Sequence, residues 1–300
     1  MVTSAPASIV WRRFLRQRLA VASAIVLTVL FALCLCAPLL AAWRNIDPTE
    51  ADLLARLEPS SMRHWLGTDD LGRDLLQRLL DGGRISLLVA ASAALIAAMI
   101  GAPLGAIAGY AGGPTDSLLM RLTDFVIALP LLPLLIVLAA VDLGKLGLPE
   151  EVVHSDIVSI YRIVGIVALT GWTTVARLVR AETLSLRSRD FVRAAIGLGA
   201  SPARVILRHI LPNTATSIVV ATTLSIGSIV LLESILSFLG LGIQPPNASW
   251  GNMLTNAQDL IQSAPLLMVW PGLLIFVTVI AFNFVGDGLQ AAFDPRDTGG

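Results

Sequence analysis

Residues 85–110 read ISLLVAASAALIAAMIGAPLGAIAGY, 26 positions without one charged side chain. At about 1.5 Å of rise per residue, a helix of this length crosses the roughly 30 Å of hydrocarbon in a bilayer. A membrane strand would need only about 10 residues and would alternate apolar with polar positions. No alternation is present, so the stretch selects a helical membrane fold. Gly101, Gly105 and Gly109 recur at every fourth position within it, a small-residue face that lets another helix come close. That helix can belong to this chain or to another subunit.

Five further runs of the same kind flank it. Residues 19–42 are uncharged, 118–141 are apolar apart from Arg121 and Asp124, and 157–176 hold only Arg162. Residues 213–232 are uncharged up to Glu233, and 264–286 are uncharged with Pro271 inside. The expectation is an all-α polytopic bundle of six transmembrane helices. Composition agrees: the 300-residue chain is 55% hydrophobic and 14% charged, with a mean hydropathy of +0.79, outside the range of soluble domains. The first run is too long for a secretory signal, whose apolar core is typically about 7–15 residues, and it reads as a retained anchor.

Charge orients the bundle. Arg12, Arg13, Arg16 and Arg18 place the tail 1–18 in the cytoplasm, and six crossings return the tail 287–300 to the same side. The loop 177–212 then faces the cytoplasm with seven arginines (177, 180, 187, 189, 193, 204, 208) against Glu182 and Asp190. Residues 141–156 carry only Lys145, and 238–263 carry no lysine or arginine, as outer loops should. The segment 43–84 mixes six arginines with eight acidic residues and is placed outside by the parity of the spans. Both outer segments, 43–84 and 238–263, are long enough to build platforms with short helices over the core 85–286.

Little in the chain suggests chemistry. Cys34 and Cys36 point to different sides of one helix and cannot pair with each other. His64, His154 and His209 are scattered without metal-ligand spacing, and no GxxxxGK[ST] string occurs. No catalytic, metal or cofactor residue is expected, and the chain should not hydrolyse ATP by itself.

Residues 193–213, RAAIGLGASPARVILRHILPN, break the apolar pattern. Asp190 is placed to cap a helix beginning at Phe191, and Gly197 and Gly199 to end it. Ser201 before Pro202 starts a second helix, which should run to about Leu211 and stop before Pro212. On that helix Arg204 and Arg208 share one face, while Ile206 and Ile210 line another. The arginines either set topology alone or form a handle for another protein.

The spacing of Ala194, Ala195, Gly199 and Pro212 resembles the EAA loop of ABC importer permeases, and the string ending H-I-L-P-N resembles its dipeptide and oligopeptide branch. The glutamate usual at the head of that motif is Arg193 here, so its role does not transfer. Three more strings are similar to the C-type membrane subunit of that branch: GTDDLGRDLLQRLLDGGRISLL (67–88), LSFLGLGIQPPNASWGNML (236–254) and AFNFVGDGLQAAFDPR (281–296). The resemblance implies a type I importer permease of the bacterial inner membrane that forms half of a pathway for dipeptides or oligopeptides. It also implies partners: a homologous second permease, two ATPase subunits or a fused pair that carry ATP and magnesium, and an extracytoplasmic binding protein, with no nucleic acid. Ala194, Ala195, Gly199, Ala200, Ser201, Pro202, Ala203, Arg204, Val205, Arg208 and Pro212 would form the loop that meets an ATPase. Permeases for nickel chelates, glutathione and peptide antibiotics share much of this pattern. A secondary transporter or a membrane scaffold is the alternative from a different class. Arg121 and Asp124, three apart and expected to pair, and Glu233, with no obvious partner in its span, are the candidates for the pathway or a subunit interface, with a structural partner for Glu233 the equal alternative to a cavity role.

Overall fold

The computed structural model of the chain describes residues 7–141 and 156–293; Lys145, His154 and the end of the carboxyl tail lie outside them. The described residues form helices α1 (Ala7–Arg16), α2 (Arg18–Leu35), α3 (Ala37–Arg44), α4 (Leu75–Ala111), α5 (Gly113–Ala128), α6 (Leu131–Ala139), α7 (Asp156–Arg187) and α8 (Asp190–Gly197). Then come α9 (Pro202–Phe238), α10 (Trp250–Ala257) and α11 (Leu266–Phe293). Among them no strand is present beyond an isolated bridge between Thr68 and Asp74. Helices α2, α4, α7, α9 and α11 are each long and apolar enough to cross a membrane.

The third apolar run is broken. Residues 118–141 do not form one straight helix; α5 and α6 meet at 85°. Pro130 lacks an N–H and crowds the residue before it out of the helical region, and Leu129 accordingly sits at φ −71°, ψ 135°. The first span is also shorter than the run 19–42, because α2 ends at Leu35 and α3 restarts with Pro38 in its first turn. The second and fourth spans are longer than their apolar runs. α4 begins at Leu75, where Asp74 caps it by accepting from the Gln77 amide at 2.8 Å, and α7 continues to Arg187.

The glycine face of α4 packs inside the chain. A Cβ at Gly101 would meet the Trp172 carbonyl, at Gly105 the Ala176 carbonyl and at Gly109 Thr183, so the repeat seats α7 against α4 one turn at a time. It is an intrachain contact, not a subunit interface. α11 lies against α9 and α2, with Gly286 receiving Leu224 and Gly288 receiving Ala20.

The segments 43–84 and 238–263 are built, not slack. Asp74 also takes the Arg44 guanidinium at 2.9 Å and lies 3.0 Å from His64 Nδ1, tying α3 and the segment before α4 together. Ser249 starts α10 in a capping box, and the fully buried Trp250 donates its indole N–H to the Leu79 carbonyl at 2.9 Å. A hydrophobic core of Leu75, Leu79, Val230, Ile243 and Trp250 continues from this platform into the bundle.

Candidate functional site: an exposed insert and a transmembrane cavity

The insert is a helix, an elbow and a second helix. Asp190 is the first residue of α8, preceded by an extended Arg189, so it sits one position later than a cap. α8 runs through Gly197, and the elbow belongs to Gly199 alone, at φ +84°. Ser201 caps the next helix, accepting the Arg204 amide at 3.4 Å, with Pro202 in the first turn.

That second helix does not stop before Pro212. Ile206–Ile210 forms a π turn in which the Leu211 amide reaches back to the Ile206 carbonyl, and the chain continues without a break to Phe238. Proline in an α-helix removes a hydrogen bond and clashes with the carbonyl four residues earlier; the wider π turn ahead of Pro212 takes up that conflict. At about 1.5 Å per residue, α9 is a single rod of roughly 55 Å.

Val192, Val205 and Ile210 are buried against Ala102, Ala106, Val175 and Val179 and anchor the insert to α4 and α7. Val205 is therefore an anchor and offers no outward surface. Ala195 and Ala200 are half-buried. Arg193, Ala194, Gly199, Ser201, Pro202, Ala203, Arg204, Arg208 and Pro212 are exposed. Between the arginines stand two apolar side chains that the sequence reading passed over, Leu198 at 89% and Leu207 at 64% exposure. Their signal was available: Leu198 lies between the two glycines, and Leu207 follows Arg204 by three residues on the arginine face. The outward surface is thus apolar knobs set among cations.

Three arginines at the carboxyl end of α7 have partners inside the chain. Arg180 pairs with Asp116 at 2.5 Å, Arg177 with Asp124 at 2.6 Å, and Arg187 donates to the carbonyls of Gly109 and Tyr110. The expected Arg121–Asp124 pair is replaced by a bond between helices. An acid following the base along a helix is the weaker order for a local pair, and α7 presents Arg177 to Asp124 instead.

Glu233 also departs from expectation. It is fully buried, accepts the Ser237 hydroxyl at 2.6 Å within its own helix, and is faced by the hydroxyls of Ser86 and Ser249. The Ser86 hydroxyl in turn accepts the Trp250 amide at 3.3 Å. Glu233 thus sits where α4, α9 and the start of α10 meet, with its Oε2 buried and without a hydrogen-bond partner among the described residues.

A cavity of about 780 Å³ opens among α4, α5, α7, α9 and α11. Its wall includes Val126 and Leu129 at the α5–α6 bend, Thr170, Thr173 and Thr174 on α7, Ser225 and Ser228 on α9, and Asn283 and Asp287 on α11. Arg121, Asp124 and Glu233 are not among its lining residues. Asn283 and Asp287, four apart toward the carboxyl end of the last span, form a polar face at helical spacing. Among the described residues no group of three or more His, Cys, Asp or Glu side chains converges as a metal site would require.

Comparison with known proteins adds to this geometry. Residues 101–298 match a family described as binding-protein-dependent transport system inner membrane component. Residues 6–59 match the N-terminal TM domain of oligopeptide transport permease C. The chain is 40% identical to the oligopeptide transport system permease protein OppC of Escherichia coli (strain K12), over 95% of this chain and 90% of that protein. It is 38% identical to OppC of Haemophilus influenzae, over 95% and 87%, and 36% identical to OppC of Bacillus subtilis (strain 168), over 95% and 88%.

Proposed function

This chain belongs to the family of binding-protein-dependent transport system inner membrane components, and from that premise we propose that it forms half of an ATP-driven import pathway for dipeptides or oligopeptides. The observation that carries the reading is the single rod α9: its cytoplasmic end is the exposed insert, and its middle, through Ser225 and Ser228, is the cavity wall. A partner that grips Leu198, Arg204, Leu207 and Arg208 therefore holds the same helix that faces the cargo. The partners in this reading are a homologous permease that completes the pathway, two ATPase subunits or a fused pair that bind ATP and magnesium, and an extracytoplasmic binding protein that meets the platform. Both termini and the insert face the cytoplasm. The cavity of about 780 Å³ falls within the usual few hundred to about 1,000 Å³ of small-ligand sites, and the second permease would enlarge it.

The test is ATP-dependent peptide uptake into vesicles that hold all the subunits. Gly199 has room for a Cβ, so the obstacle to Gly199→Val is its left-handed backbone, at a cost of roughly 1–2 kcal/mol. The variant should insert normally and hydrolyse ATP while uptake falls about tenfold. Uptake coupled as in the unaltered protein would overturn the assigned role of the elbow.

A further inference from the structure

Three hydroxyls of the cavity wall share one hydrogen-bonding sense. The Thr170 hydroxyl donates to the Val167 carbonyl at 3.1 Å, Thr173 to Thr170 at 2.9 Å, and Ser225 to Ala221 at 2.8 Å. The Asn283 amide nitrogen donates to the Val279 carbonyl at 2.9 Å. A hydroxyl has one proton to give and two lone pairs to offer, so Thr170, Thr173 and Ser225 each direct that proton back into their own helix and leave oxygen for the cavity, while the Asn283 amide keeps one N–H and its carbonyl oxygen. Asp287, the sole ionisable residue among those lining the cavity, is acceptor-only when ionised. It stands one turn from Asn283 on α11, and no hydrogen bond or ion pair joins it to another described residue. The nearest charges along the other walls cancel: Asp124, three residues from Ile127, and Arg177, four from Thr173, pair with each other.

We infer that this wall selects for hydrogen-bond donors and positive charge, with Asp287 as the specificity-determining residue for cationic over anionic cargo. The inference rests on the peptide reading above and narrows it. A protonated amine, at a peptide's amino end or on a lysine side chain, finds oxygen acceptors on α7, α9 and α11 and a carboxylate at the inner end of the path. An acidic peptide meets the same oxygens and is repelled by Asp287. Such juxtaposition of like charge is a device for rejection as much as for affinity.

The experiment measures uptake of trilysine and triglutamate into vesicles containing the complete transporter, with one saturating binding protein throughout, so that its own preference cancels between variants. In Asp287→Asn the trilysine-to-triglutamate ratio should fall roughly fivefold, the factor that about 1 kcal/mol of charge interaction gives. Asp287→Lys should lower it further. Ratios unchanged in both variants would overturn the inference while leaving the peptide reading intact. If neither variant assembles, Asn283→Asp supplies a second carboxylate one turn away and should raise the ratio; no rise there overturns the inference equally. An unaltered transporter that carries neither peptide, nor trialanine, would defeat the peptide reading itself.

Discussion

Glu233 is a carboxylate fully buried in an apolar span, with the Ser237 hydroxyl donating to it from one turn on. A carboxyl in an apolar span is read as functional by default. Here it is buried near Ser86, Ser237 and Ser249, of which Ser237 donates to it, and its Oε2 is without a partner among the described residues. Ser86 and Ser249 come from distant parts of the chain, so only the fold reveals this meeting. Replacing Glu233 with alanine strips the Ser237 hydroxyl of its acceptor in a water-poor site, a loss of about 1–3 kcal/mol. Thermal unfolding in detergent should register Glu233→Ala clearly and Glu233→Gln less. A Tm unchanged in Glu233→Ala, with altered uptake, would return the residue to the pathway. Gly199, by contrast, was legible from its neighbours, because Ser201 and Pro202 announce a helix start that needs a turn just before it. Asp124 was visible as a charge, but its partner was not, since Arg177 reaches it from another helix.

Helices were legible as apolar runs, and their ends were not. An apolar run measures hydrocarbon thickness, whereas a helix ends where its hydrogen bonds do. α4 therefore starts ten residues before its uncharged run, and α7 carries its arginines well beyond the apolar part. A proline inside a span bends it, as expected, but a proline near a helix end need not stop the helix. Pro130 breaks the third span at a right angle, while Pro212, read as a stop, lies within a continuous helix because a π turn precedes it. The small-residue face of α4 was found in sequence, and the structure supplies its partner. Gly105→Val would press its side chain into the Ala176 carbonyl and force α4 from α7, costing about 1–3 kcal/mol or more. Size-exclusion chromatography in detergent should show a smaller monodisperse fraction for it, and none lost for Gly165→Ala, whose site is open. Equal behaviour of the two would mean that the close approach is not required.

The whole molecule was the easiest scale to read, since composition alone demands a membrane and six runs demand a bundle. Its orientation rested on counting arginines. Arg177, Arg180 and Arg187 turn out to clasp α5 and the end of α4, so the same charges that mark a side also hold helices together. If the insert faces the cytoplasm, Ser201→Cys in a background lacking Cys34 and Cys36 should react with an impermeant maleimide only in inverted vesicles. Gln244→Cys, in the exposed outer segment, should react only in right-side-out ones. The reverse pattern would invert the topology. The π turn at Ile206–Ile210 also sets an angular phase along α9. Each helical residue turns the chain by about 100°, and a π turn holds one residue more than an α turn, so everything beyond Leu211 is rotated by about that angle relative to an unbroken helix. The bearing of Arg204 and Leu207 relative to that of Ser225 and Ser228 is thereby fixed by a single extra residue. One helical wheel drawn through both would misplace one of the two faces.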